Sequence, residues 1–311
     1  MVEMKSTRDA YGDALLKLGE NTDVVVLDAD LSVSTQTNKF ANKYPSRFID
    51  VGCAEQNLIG VAAGLAIGGK IPYASTYAIF AMRAWEQIRN TLAHDNIPVK
   101  IAVSHAGLTN GPDGASHQAL EDIALMRVVP GMSVIVPCDA VETDRAIISE
   151  SARMGPAYIR LNRSKSPVIM PEDYEFRFGQ AVLLKEGNDL AIIATGTMVH
   201  AALHASDLLK KENVAARVIN IHTIKPLDER RIISAAQDTG AIVTVEEHSV
   251  IGGLGSAVAE LLGEYCPVPM KKIGVRDVFG ESGEYEQLLE KHGLTPDVIV
   301  QSAKEVLRRK Q

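Results

Sequence analysis

Two histidines, with an aspartate between them, and three glycines share one short stretch, Ser104–Asp122, which reads SHAGLTNGPDGASHQALED. His105 and His117 stand near its ends, Asp113 lies between them, and glycines occupy 107, 111 and 114. The stretch follows an apolar, strand-like run, PVKIAVS. Loops at the carboxyl ends of parallel strands are where open α/β sheets bind ligands. Glycines there let backbone approach a ligand or adopt positive φ. Two imidazoles and a carboxylate on such a loop can bind a polyhydroxylated, anionic substrate and move protons on it. The plainer alternative is a polar surface loop with scattered histidines.

Two further groups carry chemistry. Glu55 opens a helix rich in small residues, CAEQNLIGVAAGLAIGG, whose glycines and alanines allow close packing of another backbone. A carboxylate entering that surface would be partly desolvated, which favours a shared proton; the alternative is a first-turn glutamate that stabilises the helix dipole. In IPYASTYAIFAMRAWEQIRN, Phe80 follows Tyr77 near the start of a helix, where an aromatic is either core or a stacking platform for a planar ring.

The elements that must position these residues alternate along the chain. Strand-like runs occur at 23–30, 48–52, 100–104, 133–137 and 157–161, with helical patterns at 6–18, 54–67, 78–93, 118–128 and 140–152. Such alternation predicts a doubly wound parallel sheet covered by helices on both faces. The pattern breaks in SKSPVIMPEDYEF and then restarts, with strands expected at 190–194, 216–221, 241–246 and 270–275, and helices at 199–211, 228–237, 256–262, 285–291 and 296–308. Thr295 and Pro296 supply a cap and a first-turn proline for the last of these. The expectation is two α/β domains: residues 1–170, a linker and start of the second domain at 171–188, and a smaller domain at 189–311.

Composition narrows the partners. A hydrophobic fraction of 46% suffices for packed cores, and a net charge of −7 argues against nucleic acid or an anionic membrane as main partner. No apolar run reaches ~18 residues, and no signal-peptide pattern opens the chain. Cys53, Cys138 and Cys266 are far apart, which fits a reducing cytoplasm; each reads as a small core residue.

The order AEQN, then TYAIF, then SHAGLTNGPDGASHQ, followed by EEHSVIGGLGSAVAE and FGESGEYEQLL, closely resembles the C-terminal half of transketolases over essentially the whole chain. The resemblance implies a thiamine pyrimidine-binding domain followed by the family's C-terminal domain, and thiamine diphosphate as cofactor. It implies transfer of a two-carbon ketol unit from a ketose phosphate to an aldose phosphate. Carried over position by position, Glu55 matches the glutamate that shares a proton with N1′ of the aminopyrimidine. Phe80 matches the aromatic that stacks on that ring, with Tyr77 and Arg83 beside it, and Asp30 matches an aspartate near the thiazolium. His117 matches the histidine at the reacting centre, and Asp113 the aspartate that reads a substrate hydroxyl. Arg8, Ser34, His105 and Arg163 match a substrate-phosphate set, a donor group suited to a dianion.

The family's Gly-Asp-Gly motif, which serves the diphosphate and Mg²⁺, has no counterpart; Pro112-Asp113-Gly114 belongs to the substrate loop. The expectation is therefore a split enzyme, with an N-terminal subunit supplying the diphosphate site and the Mg²⁺ ligands in an α2β2 assembly. The C-terminal domain is expected to serve assembly, and His222, His248 and the Glu246-Glu247 pair read as structural. One departure concerns substrate: Ala106 and Gly107 after His105 look like deoxyxylulose-phosphate synthases, which usually lack that histidine. The rival readings are a deoxyxylulose-phosphate synthase-like or 2-oxo acid dehydrogenase β-like subunit, and a non-catalytic scaffold. A transketolase specific for a sugar outside the pentose phosphate pathway also stays open.

Overall fold

A computed structural model describes residues 3–310 and shows an α/β protein with two parallel-dominated sheets. The first has seven strands, in spatial order Thr223–Lys225, Ser133–Ile135, Ala157–Arg160, Lys100–Ser104, Ile71–Tyr77, Val24–Asp28 and Phe48–Asp50. All neighbours are parallel except Thr223–Lys225, which pairs antiparallel with Ser133–Ile135. The second has five: Met270–Val275, Ile242–Ser249, Leu190–Ala194, Ala216–Asn220 and the antiparallel edge Val182–Lys185.

The central strands form because their residues are apolar except at some of their ends, where Asp28, Lys100, Ser104 and Arg160 stand. Val24–Asp28, Lys100–Ser104, Ala157–Arg160 and Leu190–Ala194 are buried at every position, as expected of strands covered on both faces. On one face of the first sheet, Tyr11, Ala14 and Leu15 of helix Thr7–Leu18 pack with Ala146 and Ile147 of helix Ala140–Glu150. On the other, Leu58, Ile59, Ala62 and Ala63 of helix Glu55–Ile67 join Ile88 and Leu92 in a core that continues into Ile193 and Ile219 of the second sheet and Leu254 of the helix Leu254–Tyr265 packed on it. The cap expected at Thr295 is present on Pro296–Arg308, and Ser6 Oγ also caps the first helix, accepting from the Asp9 amide at 3.2 Å.

Three expectations change. The single helix expected over 78–93 is broken into Ala78–Ala81, a 3₁₀ turn at Met82–Ala84, Trp85–Gln87 and a π turn at Ile88–Ala93. The Trp85 indole, donating to the Leu125 carbonyl at 3.1 Å, holds the middle of that segment. The helix expected over 118–128 covers only Asp122–Arg127, because Ala119 pairs with Ala106 and its carbonyl takes the Gly107 amide at 2.9 Å. Cys53 is exposed rather than core, since it lies on the open loop between strand Phe48–Asp50 and helix Glu55–Ile67; Cys138 is buried and Cys266 half-buried.

A charged cluster joins the sheets. Asp122 Oδ2 accepts from Arg160 Nε at 2.8 Å and from the Tyr158 hydroxyl at 2.9 Å. The Arg160 Nη2 donates to the carbonyls of Ala119 at 3.2 Å and Glu247 at 3.1 Å, so the guanidinium spans both domains. Asp122 and Arg160 are buried, and removing one partner of such a pair leaves the other charge uncompensated. Asp122→Ala is expected to cost about 3–5 kcal/mol, read as a lowered urea midpoint. A midpoint unchanged from wild type would show that the pair carries no weight.

Candidate active site

The sequence-nominated residues gather at the carboxyl ends of the first sheet's strands. The Asp28 carboxylate ends its strand and pins the following loop. It accepts from the Leu31 amide at 2.6 Å and from the hydroxyls of Thr35 and Thr37 at 2.6 and 2.8 Å. Burial nevertheless pushes Asp28 up to about 6. That loop carries Asp30, which has φ of +63° and donates its amide to Asp50 Oδ1 at 3.0 Å, and leads into the short helix Ser32–Thr35 that carries Ser34. The Cys53 thiol lies 3.7 Å from Asp30 Oδ2.

His105 leaves strand Lys100–Ser104 with φ of +59° and is 2% exposed. Its ring stacks on Tyr77 at 3.8 Å between centroids, tilted by 19°. Tyr77 stacks in turn on Phe80, at 5.4 Å and 7°. His117 meets the same aromatics edge-on, 5.4 Å from Phe80 and 6.4 Å from Tyr77. A column of three rings with a second imidazole at its flank thus links the residues proposed for a planar cofactor to those proposed for substrate.

The cationic group abuts this column. Arg8 Nη1 donates to the Ser34 carbonyl at 2.9 Å and lies 3.4 Å from His105 Nε2. A guanidinium only donates, so Nε2 accepts and the proton sits on Nδ1, which donates to Ser104 Oγ at 2.8 Å. Arg163 Nη1 reaches Asp113 Oδ2 and the Asn110 carbonyl, each at 3.3 Å. Burial first, then the adjacent Arg163 charge, lower the pKa of Arg8 from its ordinary value. The structure therefore brings Arg8, Ser34, His105, Asp113 and Arg163 together, with Ser34 contributing its carbonyl to Arg8. Glu55 sits a strand away, its side chain 11% exposed and its Oε2 3.5 Å from Arg83 Nε. Gln56 Nε2 donates to the Arg83 carbonyl at 3.3 Å and ties the helix to the Phe80 segment.

Asn110 was not singled out from sequence. It is fully buried, and its Nδ2 donates to the carbonyls of both His105, at 2.9 Å, and His117. It fixes the spacing of the two imidazoles through their backbone. Its place between the histidines was the available signal, but an asparagine in a glycine-rich loop reads first as a turn former. Among the described residues, no group of three or more His, Cys, Asp or Glu side chains is arranged to hold a metal ion.

Burial, with the nearby charges of Arg8, Arg163 and His117, pushes His105 down to about 3. The unfolded chain takes up this proton below about 6.5, whereas the folded chain does not. His105 thus contributes stability that is complete above that value and is lost as pH falls toward 3. Glu246, pushed up to about 7 by burial, acts with the opposite sign between its unfolded and folded values, so a difference measurement is needed. Between pH 6.5 and 5, wild type should lose about 1.4 kcal/mol per pH unit more than His105→Asn in urea titrations. Parallel pH dependences would refute a neutral, buried His105.

Comparison with known proteins agrees with this layout. The family model for the transketolase pyrimidine binding domain matches residues 3–168, and that for the transketolase C-terminal domain matches residues 179–299. The chain is 47% identical over 305 residues to a 6-deoxy-6-sulfo-D-fructose transketolase subunit of Clostridium sp. strain MSTE9, covering 97% of this chain and 95% of the relative. It is 37% identical to a subunit of the apulose-4-phosphate transketolase of Phocaeicola vulgatus, over 98% and 99% of the two chains. A solved structure described as a split gene transketolase, an inactive beta4 tetramer, superposes with a TM-score of 0.93 at 52% identity, over 98% of this chain and 99% of that one. With both domain models matched and relatives aligned along nearly their full length, the chain belongs to the transketolase family and carries its pyrimidine-binding and C-terminal domains.

Proposed function

We propose that this chain is the C-terminal subunit of a two-chain transketolase, active with an N-terminal subunit. The proposed reaction moves a two-carbon ketol unit from a ketose phosphate to an aldose phosphate. The observation that carries the reading is the continuous arrangement of the Phe80–Tyr77–His105 ring column and the Arg8–His105–Arg163 group. A platform for a planar ring and a clamp for an anion thereby share one histidine. A 2-oxo acid decarboxylase needs no such clamp, and a scaffold needs neither part.

Family membership implies thiamine diphosphate. The residues present fit its pyrimidine half: a half-buried Phe80 ring is available for stacking, and a mostly buried Glu55 carboxylate stands at a helix start. When bound, the cofactor supplies the electron sink for carbon–carbon cleavage and formation. Around it, Glu55 shares a proton with the ring nitrogen N1′, and Phe80 orients the ring, flanked by Tyr77 and Arg83. Asp30 would stand on the thiazolium side of the bound cofactor. His117 exchanges protons with substrate hydroxyls at the reacting carbon, and Asp113, held near Arg163, reads another hydroxyl. Arg8 and Arg163 carry the charge that meets the donor's anion, with the Ser34 hydroxyl and His105 beside them.

The family's Gly-Asp-Gly motif for the diphosphate and Mg²⁺ has no counterpart in the sequence, so the partner chain is assigned that half of the site. Relatives named as transketolase subunits, of nearly this length, support the two-chain reading. Their named substrates, a sulfo-sugar and a sugar phosphate, both carry a tetrahedral anion that a pair of guanidiniums can grip. Which sugar this chain takes is decided by assay.

The test is purification of the tagged chain with its partner, followed by assay of thiamine diphosphate- and Mg²⁺-dependent ketol transfer from phosphorylated and sulfonated ketoses. Transfer by the pair and none by either chain alone is expected. Pyruvate decarboxylation without ketol transfer would replace the reading with a 2-oxo acid enzyme. Within an active pair, Glu55→Gln should lower kcat by about 10²–10⁴-fold, the range for a lost proton-transfer group. Unchanged activity would favour a scaffold. Arg163→Ala should raise KM for phosphorylated donors far more than for hydroxypyruvate, and equal effects would remove Arg163 from the clamp.

A further inference from the structure

Strand Ile242–Ser249 ends in Glu246-Glu247-His248, and all three residues are buried where the two domains meet. Glu246 serves its own domain: its two oxygens accept the Leu254 and Gly255 amides at 2.7 Å each, at the start of helix Leu254–Tyr265. Glu247 points elsewhere. Its Oε1 accepts the Leu108 amide at 2.6 Å, inside the loop that carries His105, Asp113 and His117. Its Oε2 accepts from Asn162 Nδ2 at 3.2 Å, from the Thr197 hydroxyl at 3.1 Å and from the Tyr285 hydroxyl at 2.9 Å. Two donors thus come from the first domain and two from the second.

The first-domain donors are where the anion-binding residues attach. Asn162 immediately precedes Arg163. Its amide donates to Thr7 Oγ1 at 2.7 Å and its carbonyl accepts the Arg8 amide at 3.4 Å. Leu108 lies three residues after His105. One carboxylate is therefore bonded to the segments that bear His105 and Arg163, and reaches that of Arg8 through Asn162. The fit is close on the loop side. Gly107 has φ of +68°, and a Cβ there would stand 2.2 Å from Glu247 Oε1. The carboxylate can approach the loop because that residue has no side chain.

A contact that needed only adhesion would be better made with apolar side chains, since desolvating a carboxylate is costly. Oriented donors are what a carboxylate provides for, and a buried N–H left without its acceptor is penalised. We infer that Glu247, a residue of the C-terminal domain, is a positioning residue for substrate: it sets the spacing of the His105, Arg163 and Arg8 segments, and with it the grip on the donor's anion. This rests on the two-chain transketolase reading of the site, although the link between Glu247 and the loop does not.

The experiment compares Glu247→Ala, Glu247→Gln and, as an equally buried control in the same tripeptide, Glu246→Gln. Amide hydrogen exchange at Leu108 is read in this chain, and KM for a phosphorylated ketose and for hydroxypyruvate in the assembled pair. Glu247→Ala should speed Leu108 exchange by about tenfold or more and raise the ratio of the two KM values by a similar factor. Glu247→Gln, whose amide oxygen can still accept from Leu108, should fall between wild type and Ala, and carries the test if the Ala variant does not fold. Glu246→Gln should lower the urea midpoint while leaving Leu108 exchange and the KM ratio at wild-type values. Unchanged exchange and ratio in the Glu247 variants, or equal changes in Glu246→Gln, would overturn the inference. Faster exchange with no ketol transfer even by the wild-type pair would overturn the two-chain reading and leave the loop contact standing.

Discussion

The stack of His105 on Tyr77 is the contact on which the site depends. It holds a non-glycine residue at φ of +59°, a conformation that carries strain unless its surroundings over-determine it. Four contacts do so: the tyrosine ring on one face, Ser104 Oγ on Nδ1, Arg8 near Nε2, and Asn110 Nδ2 on the carbonyl. The left-handed turn swings the imidazole back over the strand end instead of outward. Without it the ring column would end at Tyr77, and the guanidiniums would have no fixed relation to Phe80.

The loop that follows is held from both domains. Glycines 107, 111 and 114 all have positive φ, so its path suits residues without side chains. Two of them also mark close approach to the segment at 280–285. A Cβ at Gly111 would stand 3.0 Å from the Gly283 carbonyl, and one at Gly114 2.6 Å from Ser282 Oγ. Gln118 closes the contact by donating to the Glu281 carbonyl at 2.9 Å. The second domain therefore meets the loop at two places, through Glu247 below and through this segment beside it. The buried charges of Asp122, Arg160 and Glu247 are tolerable because most of their polar atoms have partners.

Much of this was legible because its determinants are local. Short apolar runs marked the parallel strands, and the motifs around Glu55, Phe80 and His105 each lie within a short window. What escaped depends on distant segments. Nothing within the three residues Thr223–Lys225 marks them as a strand; their partner, Ser133–Ile135, supplies the reason. The shortened helix before Arg127 reflects Ala119 pairing back to the loop, and the π turn at Ile88–Ala93 has no pattern in its apolar spacing. Glu246 and Glu247 look alike in sequence, yet one caps a helix of its own domain and the other reaches Leu108, 139 positions away. Cys53 shows the same limit in reverse: a small sulfur residue beside an apolar helix reads as core, but the loop that carries it faces outward.

The charge state of His105 explains how an acidic protein keeps the proposed anion site stable. The net charge of −7 says nothing of the site, where the nearby Arg163 charge already disfavours that of Arg8. A buried cation beside these two half-buried guanidiniums would add to that repulsion while no anion is present. A neutral imidazole avoids it and orients Arg8 by accepting at Nε2. The Ser104 hydroxyl, which can donate as well as accept, satisfies Nδ1 in either tautomer. The ring can therefore present Nε2 as an acceptor to Arg8 or as a donor to an anion, and in neither state is a buried ring nitrogen left unpaired.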